Sequence, residues 1–231
     1  MKRLLLPLAL LASCTTQSTH ATQEPSGLTA PLTPPLTATL TSPTDIHLAW
    51  HPSPNTAGQV VEYAHEPDGD HTVLQFAPPD TATHDHPDLI PETTFHYRIR
   101  PYYGPTTAET TITLPPGDEV STEDGHEWAA PKTSPTGTHP IRTPAAAPTN
   151  LMATVKHANG ILFTWTDNAR DEQGYLLEVR THHHFTVAAA LDPDTTSFGL
   201  ITLPTEKHAT YRVRAYYYGT PTNTAHQRTG R

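Results

Sequence analysis

The chain of 231 residues is poor in the features that define several common protein classes. It has one cysteine, Cys14, so no internal disulfide can staple a domain and no multi-cysteine metal site can form. Lys and Arg number 14 against 23 Asp and Glu, and the net charge of −9 opposes binding to nucleic acid phosphates. Beyond residue 12 no apolar run approaches the ~20 residues that a membrane-spanning helix needs. No stretch of ten or more residues beyond that point has a convincing 3.6-residue period. Catalytic patterns are missing as well: there is no Gly-x-Ser-x-Gly, no Gly-rich phosphate loop and no His-Glu-x-x-His. The expectation is a protein that is not an enzyme, takes no cofactor and does not bind nucleic acid.

What is present begins at the amino terminus. Lys2 and Arg3 precede Leu4 to Ala12 (LLLPLALLA), a run of signal-peptide length that is too short to cross a hydrocarbon core of ~30 Å. Leu11-Ala12-Ser13-Cys14 follows and resembles the lipobox of bacterial lipoproteins: a branched apolar residue, two small residues, then the cysteine that receives lipid. The resemblance implies that 1–13 is a signal peptide and that Cys14 is the lipid attachment site. The mature chain would then carry −9 − 2 = −11, having lost Lys2 and Arg3. Two or three acyl chains, at about 0.8 kcal/mol per buried CH₂, make such an anchor effectively permanent. Thr15, where that family uses aspartate for inner-membrane retention, implies a cell-envelope location at the outer membrane. The plainer account, a secretory signal with an unrelated cysteine, requires the chain's sole Cys to fall at this place by chance.

Residues 14–33 are rich in Thr, Ser and Pro and lack aromatics, so they read as a flexible tether. Residues 116–146 read as a second connector, with Asp118, Glu119, Glu123, Asp124 and Glu127 among several prolines. The segments that follow them, 34–115 and 147–231, repeat each other. Ile46-His47-Leu48-Ala49-Trp50 matches Ile161-Leu162-Phe163-Thr164-Trp165, and Gly58 to Tyr63 matches Gly174 to Val179. Tyr97-Arg98-Ile99-Arg100 matches Tyr211-Arg212-Val213-Arg214. Each pair alternates apolar with polar, the pattern of half-buried strands, with turn residues between. The fold class expected is all-β: two immunoglobulin-like sandwiches joined by a flexible linker.

Pro148…Trp165-Thr166-Asp167-Asn168…Gly174-Tyr175-Leu176-Leu177-Glu178…Tyr211 to Tyr216 resembles a fibronectin type III domain of the bacterial kind. The first copy keeps Trp50, Leu89-Ile90-Pro91 and Tyr97 to Arg100. Both depart from that family at the tyrosine that begins strand F, where Phe95 and Ala209 stand.

Strand F carries the candidate partner-binding residues. Alternation sends Phe95, Tyr97 and Ile99 inward in one copy and Tyr211, Val213 and Ala215 inward in the other. Arg98, Arg100 and Tyr102, with Arg212, Arg214 and Tyr216, are then expected outward, where Arg and Tyr suit an interface. The plainer account pairs these arginines with Glu62 and Glu178 on strand C. His84 with His86, and His182 to His184, offer imidazoles at i and i+2, but a metal site needs three or four convergent ligands, and both groups are expected in solvent-facing loops. Asp167, Asn168, Asp171 and Glu172 lack the spacing of a calcium loop and suit a turn. No metal site is expected. Trp128, alone in the connector, either docks on a domain or serves a recognition motif. The function expected is a membrane-anchored binding or spacer module for protein or carbohydrate. The alternatives are a His-rich metal-binding lipoprotein and an accessory subunit of a glycan-degrading system.

Overall fold

Ile46 and Leu48 are fully buried in Asp45–Ala49 while the residues between them are half-exposed, which is the alternation of a strand with one covered face. The structure, a computed structural model, describes residues 35–117, 125–182, 184–203 and 206–231. The first sandwich contains β1 (Thr37–Ser42), β2 (Asp45–Ala49), β3 (Gly58–Ala64), β4 (Thr72–Ala77), β5 (Thr83–His86) and β6 (Thr94–Tyr103). Two short strands, β7 (Thr110–Thr113) and β8 (Lys132–Thr133), lie between the repeats. The second sandwich contains β9 (Thr149–His157), β10 (Gly160–Thr166), β11 (Gly174–Thr181), β12 (His184–Leu191), β13 (Thr195–Ile201) and β14 (His208–Tyr218), and β15 (Ala225–Arg228) closes the chain.

The three matched sequence pairs fall on β2 and β10, β3 and β11, and β6 and β14. One layer of each sandwich is β1-β2-β5 or β9-β10-β13, with β8 added at the edge of β13. The other layers join into one sheet in the order β12-β11-β14-β6-β3-β4. Trp50, Phe95, Tyr97 and Ile99 sit in the first core, and Trp165, Phe163, Tyr211 and Val213 in the second.

Neither sandwich is built from its own segment alone. β7, at the end of the first repeat, pairs with β14 of the second, with Thr110 opposite Tyr211 and Ile112 opposite Ala209. β15, at the end of the second repeat, pairs with β6 of the first, with Ala225 opposite Tyr97 and Arg228 opposite Thr94. Leu114 is therefore part of the second core and Ala225 part of the first. The seventh strands are exchanged, and the segments 34–115 and 147–231 do not map one to one onto the sandwiches.

Local chemistry explains the crossing. A tight hairpin back along the same strand favours a short turn such as Asn-Gly, whereas β6 runs into Gly104-Pro105 and β14 into Gly219-Thr220-Pro221. Proline keeps a preceding residue that carries a Cβ, such as Thr220, out of the α region, and Gly104, free of that limit, carries the chain across. It runs along the other repeat's strand: Ala215 N–H donates to Pro105 O at 3.1 Å, and Thr222 N–H to Ile99 O at 2.8 Å. Gly104 takes φ +140° at the crossing, where a Cβ would lie 1.9 Å from Ala215 O. Only glycine fits there.

The connector is the second correction to the sequence reading. Residues 125–146 are not free chain: β8 pairs with β13, and Ile141 and Ala146 are buried in the second core. The N–H groups of Thr138 and His139 both donate to Asn168 O, at 3.1 and 3.0 Å. Composition underrates such a stretch because two apolar anchors and a few backbone bonds suffice to order it against an existing surface.

Candidate functional site

Strand register sets Glu62 opposite Arg98 and Glu178 opposite Arg212. Arg98 Nε donates to Glu62 Oε2 at 2.6 Å, and Arg100 Nη2 lies 3.2 Å from the same oxygen. Arg212 Nε donates to Glu178 Oε2 at 2.5 Å and Arg214 Nε to Glu178 Oε1 at 2.8 Å. Both carboxylates are buried, a state tolerated when the charge is paired, and each has two arginines. The plainer account of these arginines therefore describes their geometry. Their flat faces are used as well: Arg100 stacks over Tyr218 at 4.4 Å and Arg212 over Phe185 at 3.7 Å.

Tyr102 and Tyr216 do not face solvent, contrary to expectation. They are 2% and 6% exposed and form a third buried cluster with Val60 and Leu176. The ring of Phe76 packs edge-on to both, at 5.5 and 5.8 Å. Alternation does send these side chains away from their own cores, but the outward face of one sandwich is covered by that of the other. Burial pushes both hydroxyls well above the ordinary tyrosine pKa. The stripe that looked available to a partner is largely spent on joining the two halves.

His84 and His86 are a further correction, since they lie in β5 rather than in a loop, half-buried on one strand face. His86 Nδ1 is 3.0 Å from the Tyr97 hydroxyl, and His84 Nδ1 is 2.9 Å from Gln75 Oε1. Burial lowers the pKa of both imidazoles. His182 does sit in an exposed turn, at φ +52°. His184 Nε2 lies 3.8 Å from Asp80 Oδ2, and His183 falls outside the described residues. Among the described residues, no three histidines converge as ligands.

The turn between β10 and β11 is more divided than its sequence indicates. Asn168 and Asp171 bind backbone: Asn168 Nδ2 donates to Ala147 O at 2.7 Å, and Asp171 Oδ1 accepts from Ile141 N–H at 2.7 Å. Asp167 and Glu172 instead turn inward with Asp194, one oxygen of each lying within 4.8 Å of the others. The Tyr175 hydroxyl donates to Asp167 Oδ1. Asp194, which precedes β13, carried no sequence signal linking it to this turn.

Trp128 docks on the second sandwich, its ring 3.1 Å from where a Cβ of Gly160 would be and 2.6 Å from that of Gly199. The two glycines make the seat, and His157 flanks it at 5.7 Å between ring centres. Cys14 and the leader lie outside the described residues. Among the described residues, no helix is long and apolar enough to cross a membrane.

The layers β1-β2-β5 and β4-β3-β6-β15, repeated as β9-β10-β13 and β12-β11-β14-β7, define the class: an all-β protein of two immunoglobulin-like sandwiches. No family model matches the chain, and no curated protein matches it. Among solved structures it is similar to a segment of two fibronectin type III domains from chicken tenascin, at 15% identity and a TM-score of 0.27, over 84% of this chain and 97% of that one. It is also similar to the FN1–FN3 domains of chicken CNTN1, at 15% identity and a TM-score of 0.27, over 86% of this chain and 66% of that one.

Proposed function

We propose that this protein is a lipid-anchored module of the bacterial cell envelope that presents a stiff pair of sandwiches to a protein or carbohydrate partner. The observation that carries this reading is the reciprocal exchange of β7 and β15. Two sandwiches on a loose string would swing independently, whereas exchanged strands and a shared buried cluster hold them as one block. A stiff block suits a spacer that keeps a binding surface at a set distance from a membrane. The anchor is Cys14, read from Leu11-Ala12-Ser13-Cys14, and the folded block is entered through Leu36, whose N–H and C=O are both held by the Asn223 side chain, at 2.8 and 3.1 Å. Free sheet surfaces and loops, rather than the Arg/Tyr stripe, are left for the partner.

The experiment is acyl labelling with fractionation of cells carrying the full chain or Cys14→Ala. The parent should take up label and sediment with envelope membranes, and the variant should lose label and appear in soluble fractions or unprocessed. Unchanged membrane retention of the variant would overturn the anchor and with it the spacer reading.

A further inference from the structure

We infer that the end of the second sandwich holds a divalent cation of the Ca²⁺ type between Asp167, Glu172 and Asp194. Asp167 leaves β10, Glu172 precedes β11, and Asp194 precedes β13 in a left-handed conformation, φ +60°, which aspartate tolerates. Three strand ends thus bring three carboxylates to one place, with one oxygen of each within 4.8 Å of the others. Ca²⁺ bonds oxygen at roughly 2.3–2.6 Å, so oxygens on opposite sides of one ion stand about 5 Å apart. The three oxygens therefore span no more than a single coordination shell.

Burial makes the charge hard to leave alone. Asp167 is 1% and Glu172 6% exposed, and taking ionised carboxylates out of water is costly unless they are paired. The donors present satisfy part of the group. Asp167 receives the Tyr175 hydroxyl and, at 3.3 Å, Gly137 N–H; Glu172 Oε1 receives Asp194 N–H at 3.0 Å. Glu172 Oε2 is buried with no hydrogen-bond donor among the described residues. Among the described residues, no Lys, Arg or His forms an ion pair with any of the three.

The same fold treats its other buried carboxylates differently, giving Glu62 and Glu178 two arginines each. Here the place of the counter-charge is open to an ion. All the protein ligands are carboxylate oxygens, which suits a hard cation and disfavours Zn²⁺ or Cu²⁺. The connector closes over the group: Ser134 N–H donates to Asp194 O at 2.8 Å, and Ile141 N–H to Asp171 at 2.7 Å. The ligands are thus held in place before any ion arrives.

The test uses the full chain freed of divalent ions with EDTA and then titrated with CaCl₂ by calorimetry and thermal unfolding. One saturable site per chain is expected, with a rise in Tm of about 5 °C at a hundred-fold excess over Kd. Tb³⁺ should replace Ca²⁺ and show emission sensitised by Tyr175 and Trp165, whose rings lie 5.8 Å apart. Glu172→Gln keeps an acceptor for Asp194 N–H and removes the charge. It should abolish the Ca²⁺-dependent rise and, in EDTA, melt above the parent because like-charge repulsion is relieved. Asp194→Asn, half-buried at the rim, gives the same readout if Glu172→Gln fails to fold. Absence of saturable binding up to about 10 mM, beyond the weakest extracellular calcium sites, overturns the proposal. So does undiminished binding by both variants, or a larger shift with Mg²⁺ than with Ca²⁺.

Discussion

The two sandwiches share a strand plan but settle the buried polar groups beside their tryptophans in different ways. In the first, Trp50 Nε1 donates to Gln59 Oε1 at 2.8 Å, and Gln59 Nε2 donates to Pro79 O and Thr81 O at 3.1 and 3.0 Å. One amide thus closes a neutral network. In the second, Tyr175 stands where Gln59 does, Trp165 Nε1 has no hydrogen-bond partner among the described residues, and the tyrosine hydroxyl is given to Asp167. A repeat can therefore keep its apolar pattern while the second residue of β3 and β11 differs, an amide in one and a tyrosine paired with an acid in the other. At that end the second sandwich gathers Asp167, Glu172 and Asp194 beside the tyrosine.

The largest effect expected falls on what the sandwiches share. Removing residues 221–231 takes β15 from β6, and the buried Ala225 and Thr229 with it, and leaves the edge of the first sandwich unpaired. The loss should be on the order of the whole stability of a domain, 5 kcal/mol or more, and should show as a lost or strongly shifted melting transition. A truncated chain that melts like the parent would separate the sandwiches again. Next come Trp50→Ala and Trp165→Ala, each expected to cost about 3–5 kcal/mol. Because Leu114 and Ala225 sit in each other's cores, each variant should shift one common denaturant transition; two transitions, only one of them moved, would break the coupling.

A smaller pair of effects sharpens the contrast at the tryptophans. Trp50→Phe strands the Gln59 amide and should cost about 1–3 kcal/mol more than its loss of area. Trp165→Phe removes an N–H that has no partner and should cost less; equal urea midpoints for the two variants would erase the distinction. The smallest effect is in pH. β5 (THDH) carries His84 and His86, whereas its counterpart β13 (TTSFGLI) carries no histidine. Burial lowers both pKa values from 6.5, so the neutral form is favoured in the folded state. Stability is then full above about pH 6.5 and is lost as pH falls through the folded values. Urea midpoints at pH 7.5 and 5.5 should differ for the parent and converge when both histidines are replaced by glutamine.

Much of the fold was legible because its signals are local. Ile46, Leu48 and Trp50, and Ile161, Phe163 and Trp165, alternate over five residues and announce β2 and β10 without reference to the rest of the chain. Glu62 and Arg98, and Glu178 and Arg212, were legible as pairs because cross-strand register follows once β3 and β6, and β11 and β14, are placed. Tyr102 and Tyr216 were not. Their outward direction was read from alternation, and nothing in that pattern says that a second sandwich covers the face. His84 and His86 were misplaced because β5 is four residues long and polar. Asp194 was missed because its partners lie more than twenty residues away, and only the end of a folded sandwich brings them together.

By itself the sequence determined an acidic chain with one cysteine and two β-rich repeats, because charge and period-2 alternation are properties of neighbouring residues. Which sheet receives β7 (TTIT) and β15 (AHQR) was decided only in three dimensions. Strands of four residues with Ile112 as their one large apolar side chain carry too little apolar surface to prefer one edge over another. The choice fell to Gly104, whose φ of +140° lets the chain pass close to Ala215, to Pro221, which keeps Thr220 out of the α region, and to the open backbone groups of the strand that each segment then met.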